Sequence, residues 1–84
     1  MALVHTWLAF EKLEQGFNEA QARQFLNEHL GTTYNHVQVA KWKKGVSPRS
    51  QTRQFMLQRC LLFAIEQYPG RTKKQLAELV EALL

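Results

Sequence analysis

Between residues 34 and 44 the chain groups side chains suited to hydrogen bonding and ion pairing with a polyanion. Tyr34, Asn35, His36, Gln38 and Lys41 offer donors and acceptors, and Lys43 and Lys44 add charge. Wound as a helix at about 100° per residue, the stretch places Asn35, Val39 and Trp42 on one side. His36, Val37, Ala40, Lys41 and Lys44 fall on the other. A small outer face, partly apolar and partly basic, suits contact with base edges in a DNA major groove. Val37 and Ala40 can meet a thymine methyl, while His36 and Lys41 can hydrogen-bond. Tyr34 and Gln38 flank that face. The opposite phase, with Val37 and Ala40 in the core and Val39 at an edge, is the alternative. The first is favoured because Trp42 is too large to leave exposed.

Other chemistries lack a comparable grouping. His5, His29 and His36 are not spaced as metal ligands, and no cysteine or carboxylate cluster joins them. His36 with Ser47 or Ser50 has no third member of a triad. No glycine-rich phosphate loop occurs. No catalysis, metal, cofactor or small-molecule ligand is therefore expected. Cys60 is the one cysteine, so no internal disulfide framework exists, which fits a reducing cytoplasm. It lies in an apolar run and reads as a buried thiol.

Charge sharpens the picture. The net charge is +4, but no acidic residue occurs between Glu28 and Glu66. That window holds Lys41, Lys43, Lys44, Arg49, Arg53 and Arg59, whereas the remainder of the chain carries more acidic than basic residues. A localised positive region is the electrostatic footprint of a polyanion partner. No secretory signal is evident, since the N-terminus lacks a basic region and Glu11 interrupts the apolar residues. No apolar run approaches the roughly 20 residues of a membrane span. A cytoplasmic protein is expected.

The elements that must position these residues are helices. Eighty-four residues make one small domain, 1–84. After a short lead-in over Met1 to Val4, a first helix is expected from about Thr6 to Gln15, with Trp7 and Phe10 in the core and Gly16 as its stop. A second, about 19–30, has Asn18 as cap and Glu19 at its positive end. Ala22, Phe25, Leu26 and Leu30 form its buried stripe, and Gly31 ends it. The third runs from Tyr34 to Lys44 with Thr33 or Asn35 as cap, and Gly45 stops it. Ser47 and Pro48 suit the cap and first position of a fourth helix, although Ser50 could open it instead. That helix continues through Phe55, Leu57, Leu61, Leu62, Ala64, Ile65 and Tyr68 until Pro69-Gly70 breaks it. Its apolar residues from Cys60 to Ile65 cover nearly the full circumference, which calls for burial on all sides. Thr72 to Gln75 match a capping box for a fifth helix of about twelve residues. This helix carries the stripe Leu76, Leu79, Val80 and Leu83, with Glu78 and Glu81 outside. The fold class is all-α, about five short helices. Helices 4 and 5 (about 48–84) complete the core and supply a dimer interface, for which Leu62, Ile65, Leu76, Leu79, Val80 and Leu83 are candidates.

Residues 17 to 65 resemble the lambda-repressor and Cro family of helix-turn-helix regulators. The resemblance is carried by Phe25-Leu26-Asn27-Glu28-His29-Leu30-Gly31, the turn Thr32-Thr33, and Val39-Ala40-Lys41-Trp42-Lys43-Lys44-Gly45 followed by Pro48. Family members commonly close the recognition helix with a bulky apolar residue, two polar residues and glycine, with proline shortly after. The segment from Gly31 to Gly45 is about two residues longer than is usual there. Anchoring on the turn would bury Val37 and make Tyr34 and Asn35 the first base readers, whereas anchoring on Trp42 and Gly45 buries Val39 and shifts the readers to His36, Val37 and Lys41. The size, basic character and lack of a sensor domain are similar to small phage or mobile-element repressors, including regulators of anti-CRISPR operons.

The resemblance implies a sequence-specific double-stranded DNA-binding regulator. Its recognition helix would enter the major groove, with Tyr34, Asn35, His36, Val37, Gln38 and Lys41 as base-reading candidates. Thr33, Lys43, Lys44, Arg49, Ser50 and Arg53 are phosphate candidates, which fix orientation without reading sequence. A homodimer would set two such helices about one DNA turn apart, roughly 34 Å, on an inverted repeat. Repression follows if it excludes polymerase. The competing reading is a protein-interaction module (antitoxin, anti-repressor or adaptor) using the apolar surface of helices 4 and 5. RNA binding is disfavoured because the aromatic platforms of RNA modules are missing.

Overall fold

The computed structural model describes residues 2–67 continuously, and beyond them Gly70, Thr72, Lys74, Gln75 and Glu78. Among the described residues the chain is all-helical and has no strand. Its elements are α1 (Ala2–Gln15), α2 (Glu19–Leu30), α3 (His36–Lys43) and α4 (Ser50–Gln67). None of the helices searched is long and apolar enough to cross a membrane. Tyr68, Pro69, Glu81 and the stripe residues Leu76, Leu79, Val80 and Leu83 lie outside the described residues. The capping box before that stripe is formed. The Gln75 N–H donates to Thr72 Oγ1 at 3.3 Å, and the Thr72 N–H donates to Gln75 Oε1 at 3.2 Å.

The start of α1 differs from the sequence expectation, and that of α4 falls on the second of the two openings weighed. α1 begins at Ala2 rather than Thr6, so Met1 to Val4 is not simply a lead-in: Leu3 and Val4 are fully buried. The start is set by the burial of those two side chains, roughly 3–6 kcal/mol in gross transfer energy. Leu13, by contrast, is 73% exposed. α4 opens at Ser50, not at Ser47-Pro48. The Ser47 hydroxyl turns to the Pro48 carbonyl at 3.4 Å, and Pro48 is buried in the connection. The Arg49 carbonyl accepts an N–H···O bond from Arg53 at 2.9 Å, as a capping residue's does.

α2 has the expected bounds because both ends carry local chemistry. Asn18 Oδ1 accepts from the Gln21 N–H at 2.8 Å, and Gln21 Oε1 accepts from the Asn18 N–H at 3.0 Å. Asn18 and Gln21 thus form a reciprocal capping box, more than the single Asn18 cap expected from sequence. Gly31, at φ 67 and ψ 32, closes the helix in the left-handed region, and its N–H donates to the Asn27 carbonyl.

The core joins Leu3, Val4 and Trp7 of α1, Ala22 and Leu26 of α2, Val39 and Trp42 of α3, and Phe55, Met56, Cys60 and Ala64 of α4. α1 touches all three other helices, and α4 is its main partner. Trp7 meets Phe55 edge-on at 6.4 Å between ring centroids, and Phe10, half-buried, stacks on Phe63 at 4.1 Å. Between those contacts lies an ion pair. Arg59 Nη2 and Nε donate to Glu11 Oε1 at 2.6 and 3.1 Å, with the Glu11 side chain 1% exposed. Glu11 Oε2 and the Trp7 indole N–H, one turn apart on α1, are buried without a hydrogen-bond partner among the described residues. The carboxylate therefore depends on Arg59, whose guanidinium also sits 5.0 Å over the Phe25 ring.

Among the described residues, α4 is not buried on all sides. Cys60 and Ala64 are buried and Leu61 and Phe63 half-buried, whereas Leu62 is 51% and Ile65 39% exposed. Burial, aided by the Glu11 charge and partly opposed by Arg59, pushes the Cys60 thiol from its usual 9.0 up to about 12.

Two predictions follow from this packing. Replacing Arg59 by Ala strands a buried carboxylate and should cost about 3–5 kcal/mol in urea unfolding. The double replacement Glu11→Met with Arg59→Met should restore most of that loss, because an apolar pair carries no desolvation penalty. The thiol gives a pH dependence. Its folded value is raised, so its contribution is fully present below pH 9.0 and lost as pH climbs towards about 12. Across that window wild type should lose about 1.4 kcal/mol per pH unit relative to Cys60→Ala. Parallel pH profiles for the two proteins would refute this.

Candidate nucleic-acid interface

α3 is held by its caps and by one apolar side. Asn35, extended at φ −108 and ψ 178, is the N-cap. Its Oδ1 accepts from the Gln38 N–H at 3.1 Å. Tyr34 therefore precedes the helix instead of opening it. At the other end the Lys44 N–H reaches the Ala40 and Lys41 carbonyls at 3.2 and 3.1 Å. The Val46 N–H also donates to the Lys41 carbonyl at 3.1 Å. Val39 and Trp42 are buried at 0% and 1% exposure, while His36, Val37, Ala40, Lys41 and Lys44 are exposed. This is the phase expected from anchoring on Trp42. Gln38 is half-buried, and Asn35 is exposed with its carbonyl oxygen committed to the cap.

The turn ahead of α3 is organised by Asn27, a residue that sequence reasoning had not singled out. Its Oδ1 accepts from the Thr32 hydroxyl at 2.8 Å and the Tyr34 N–H at 2.9 Å. Its Nδ2 donates to the Tyr34 carbonyl at 2.9 Å. The Thr32 N–H also reaches the Asn27 main-chain carbonyl at 3.0 Å. One side chain thus ties the turn after α2 together just ahead of α3. Tyr34 is fixed from the other side. Its ring meets Trp42 edge-on at 4.8 Å, and its hydroxyl lies 3.1 Å from the Thr52 hydroxyl. As a base-reading candidate Tyr34 is already engaged at both ends. The rest of that set is carried by exposed or half-buried positions from Asn35 to Lys41.

The phosphate candidates divide into groups. Thr33 and Arg49, far apart in sequence, line one cleft with Thr32 and Tyr34, about 270 Å³ in volume. Ser50 and Arg53 are exposed on the first turn of α4. Lys43 sits elsewhere. Its Nζ is 2.8 Å from Glu19 Oε1, tying the end of α3 to the start of α2. It borders a cleft of about 360 Å³ to which His5 and Lys12 of α1 also contribute. Both of these residues lack a local sequence signal for such a role. Arg59, counted within the acid-free window, is turned inward to Glu11. Of the six cations in that window, Lys41, Lys44, Arg49 and Arg53 are exposed and enter no ion pair among the described residues.

No family model, curated protein or solved structure matches the chain. Among the described residues, no group of three or more His, Cys, Asp or Glu side chains could hold a metal ion. His5, His29 and His36 lie on three different helices.

Asn27→Ala should destabilise the fold by about 1.5–4.5 kcal/mol, three hydrogen bonds at roughly 0.5–1.5 each. It should also speed amide exchange at Tyr34. Unchanged Tyr34 protection would show that the turn does not depend on this side chain.

Proposed function

We propose that the chain is a sequence-specific double-stranded DNA-binding regulator of the helix-turn-helix type, acting as a dimeric repressor in the cytoplasm. In this reading α2 is the supporting helix and α3 enters the major groove. The observation that carries it is the division of α3. Val39 and Trp42 are buried, leaving outside a set of small apolar, imidazole and ammonium groups: Val37, Ala40, His36, Lys41 and Lys44. Such a face combines thymine-methyl contact with hydrogen bonding to base edges. Arg49 and Arg53, with no carboxylate partner among the described residues, supply charge beside it for phosphate contacts. Thr33 shares the Arg49 cleft and supplies a neutral hydroxyl to the same backbone. Neither catalysis nor a cofactor has a part in this function.

A protein-interaction module is the second reading. Its support is the exposure of Leu62 and Ile65 on α4. Selection from a random DNA library separates the two. The regulator should recover an inverted repeat with half-sites about 10 base pairs apart, centre to centre. No enriched sequence, with weak binding that vanishes at moderate salt, would leave only non-specific phosphate attraction and favour the interaction module.

Substitutions distinguish the roles. Lys41→Ala should erase preference for the selected site over scrambled DNA. Arg53→Ala should weaken both alike and lower the salt slope by about one. If Lys41→Ala still discriminates fully, α3 is not reading through that face.

A further inference from the structure

Two complementary polar atoms lie unmatched in the contact between α1 and α4. The Trp7 indole N–H can only donate, and the oxygen Oε2 of an ionised Glu11 can only accept. Neither has a hydrogen-bond partner among the described residues, so no direct bond joins them. Trp7 is 0% exposed and the Glu11 side chain 1%. Buried groups of this kind are nearly always satisfied, because an unpaired one carries its full desolvation penalty.

Their placement says what can satisfy them. Trp7 and Glu11 stand four residues apart on one helix, a spacing that sets their Cβ atoms roughly 5–6 Å apart on the same face. Phe55 and Arg59 repeat that spacing on α4, where Trp7 meets Phe55 and Glu11 meets Arg59. The donor and the acceptor thus belong to adjoining steps of one contact. Arg59 uses only Oε1 of the carboxylate, which leaves Oε2 over. Whatever joins the two atoms must accept from an N–H, donate to a carboxylate and fit inside a packed core. An anion cannot donate, and an ammonium cannot accept. Water does both.

We propose that a single internal water molecule is built into the α1–α4 contact, accepting from the Trp7 indole N–H and donating to Glu11 Oε2. Internal waters of this kind serve otherwise unsatisfied groups and make about three hydrogen bonds. The Cys60 thiol, fully buried and close enough to Glu11 to feel its charge, is a further weak donor beside the carboxylate. The water completes a chain of polar contacts from Trp7 through Glu11 to Arg59. It is independent of the DNA-binding reading.

The test uses the full chain with isotope-labelled tryptophan. In nuclear magnetic resonance, the Trp7 indole proton should show a cross-peak to a water held longer than the protein takes to tumble. Trp7→Phe assigns the signal by deleting it and leaving that of Trp42. Glu11→Met with Arg59→Met should abolish the cross-peak while the Trp7 resonance remains. A wild-type Trp7 proton without the cross-peak would overturn the proposal, and so would a cross-peak that survives the double replacement. A crystal structure of the wild type needs no variant. It should show one ordered water within hydrogen-bond distance of both atoms, and a direct Trp7–Glu11 bond or a dry gap there would overturn the proposal.

Discussion

A carboxylate with almost no access to water must be compensated where it sits, and Glu11 imposes that constraint on the whole molecule. The low dielectric around it makes an unpaired charge far costlier than the same charge at the surface. Arg59 answers with two nitrogens on one oxygen, which fixes how α1 lies on α4. Phe10 on Phe63 and Trp7 against Phe55 then fall into place on either side of the pair. Buried ion pairs add little net stability compared with apolar replacements, but they penalise mispairing heavily. The role of this one is to specify the arrangement of α1 and α4, with Arg59 also packed over Phe25 of α2.

That platform makes a short third helix tenable. Eight residues cannot sustain an isolated helix, so α3 relies on tertiary contacts. Trp42 and Val39 anchor one side, and the Asn27-held turn and the Asn35 cap define the start. Rigidity of this kind is useful for recognition, because side chains on a well-held helix lose less freedom when they bind. The same economy limits the charge available outside. Arg59 is used for the core and Lys43 is paired with Glu19, so the outward field comes from fewer residues than the composition suggests.

How much could be read from the chain alone depended on whether the deciding chemistry was local. The α2 boundaries were legible because a cap, a glycine and an apolar stripe all lie within the segment. The phase of α3 was legible because Trp42 is large enough that leaving it in water is the costlier alternative, and both it and Val39 are buried as that argument requires. A thiol within an apolar run was expected to be buried, and Cys60 is.

What tertiary structure decided involved partners distant in sequence. The early part of α1 buries Leu3 and Val4 in the core shared with the other helices. Glu11 carries no local sign of burial, and its partner Arg59 lies 48 positions away. Pro48 and Ser47 have the local form of a helix opening, yet Pro48 is buried in the connection and α4 begins at Ser50. Asn27 became the organiser of a turn only because the chain returns Thr32 and Tyr34 to its amide. Local signals on this sequence therefore determined that α1 to α4 are helical and which side of α3 is apolar. Long-range burial and charge pairing decided where α1 and α4 begin, which cations face outward and what holds the turn, because those energies depend on neighbours that only folding supplies.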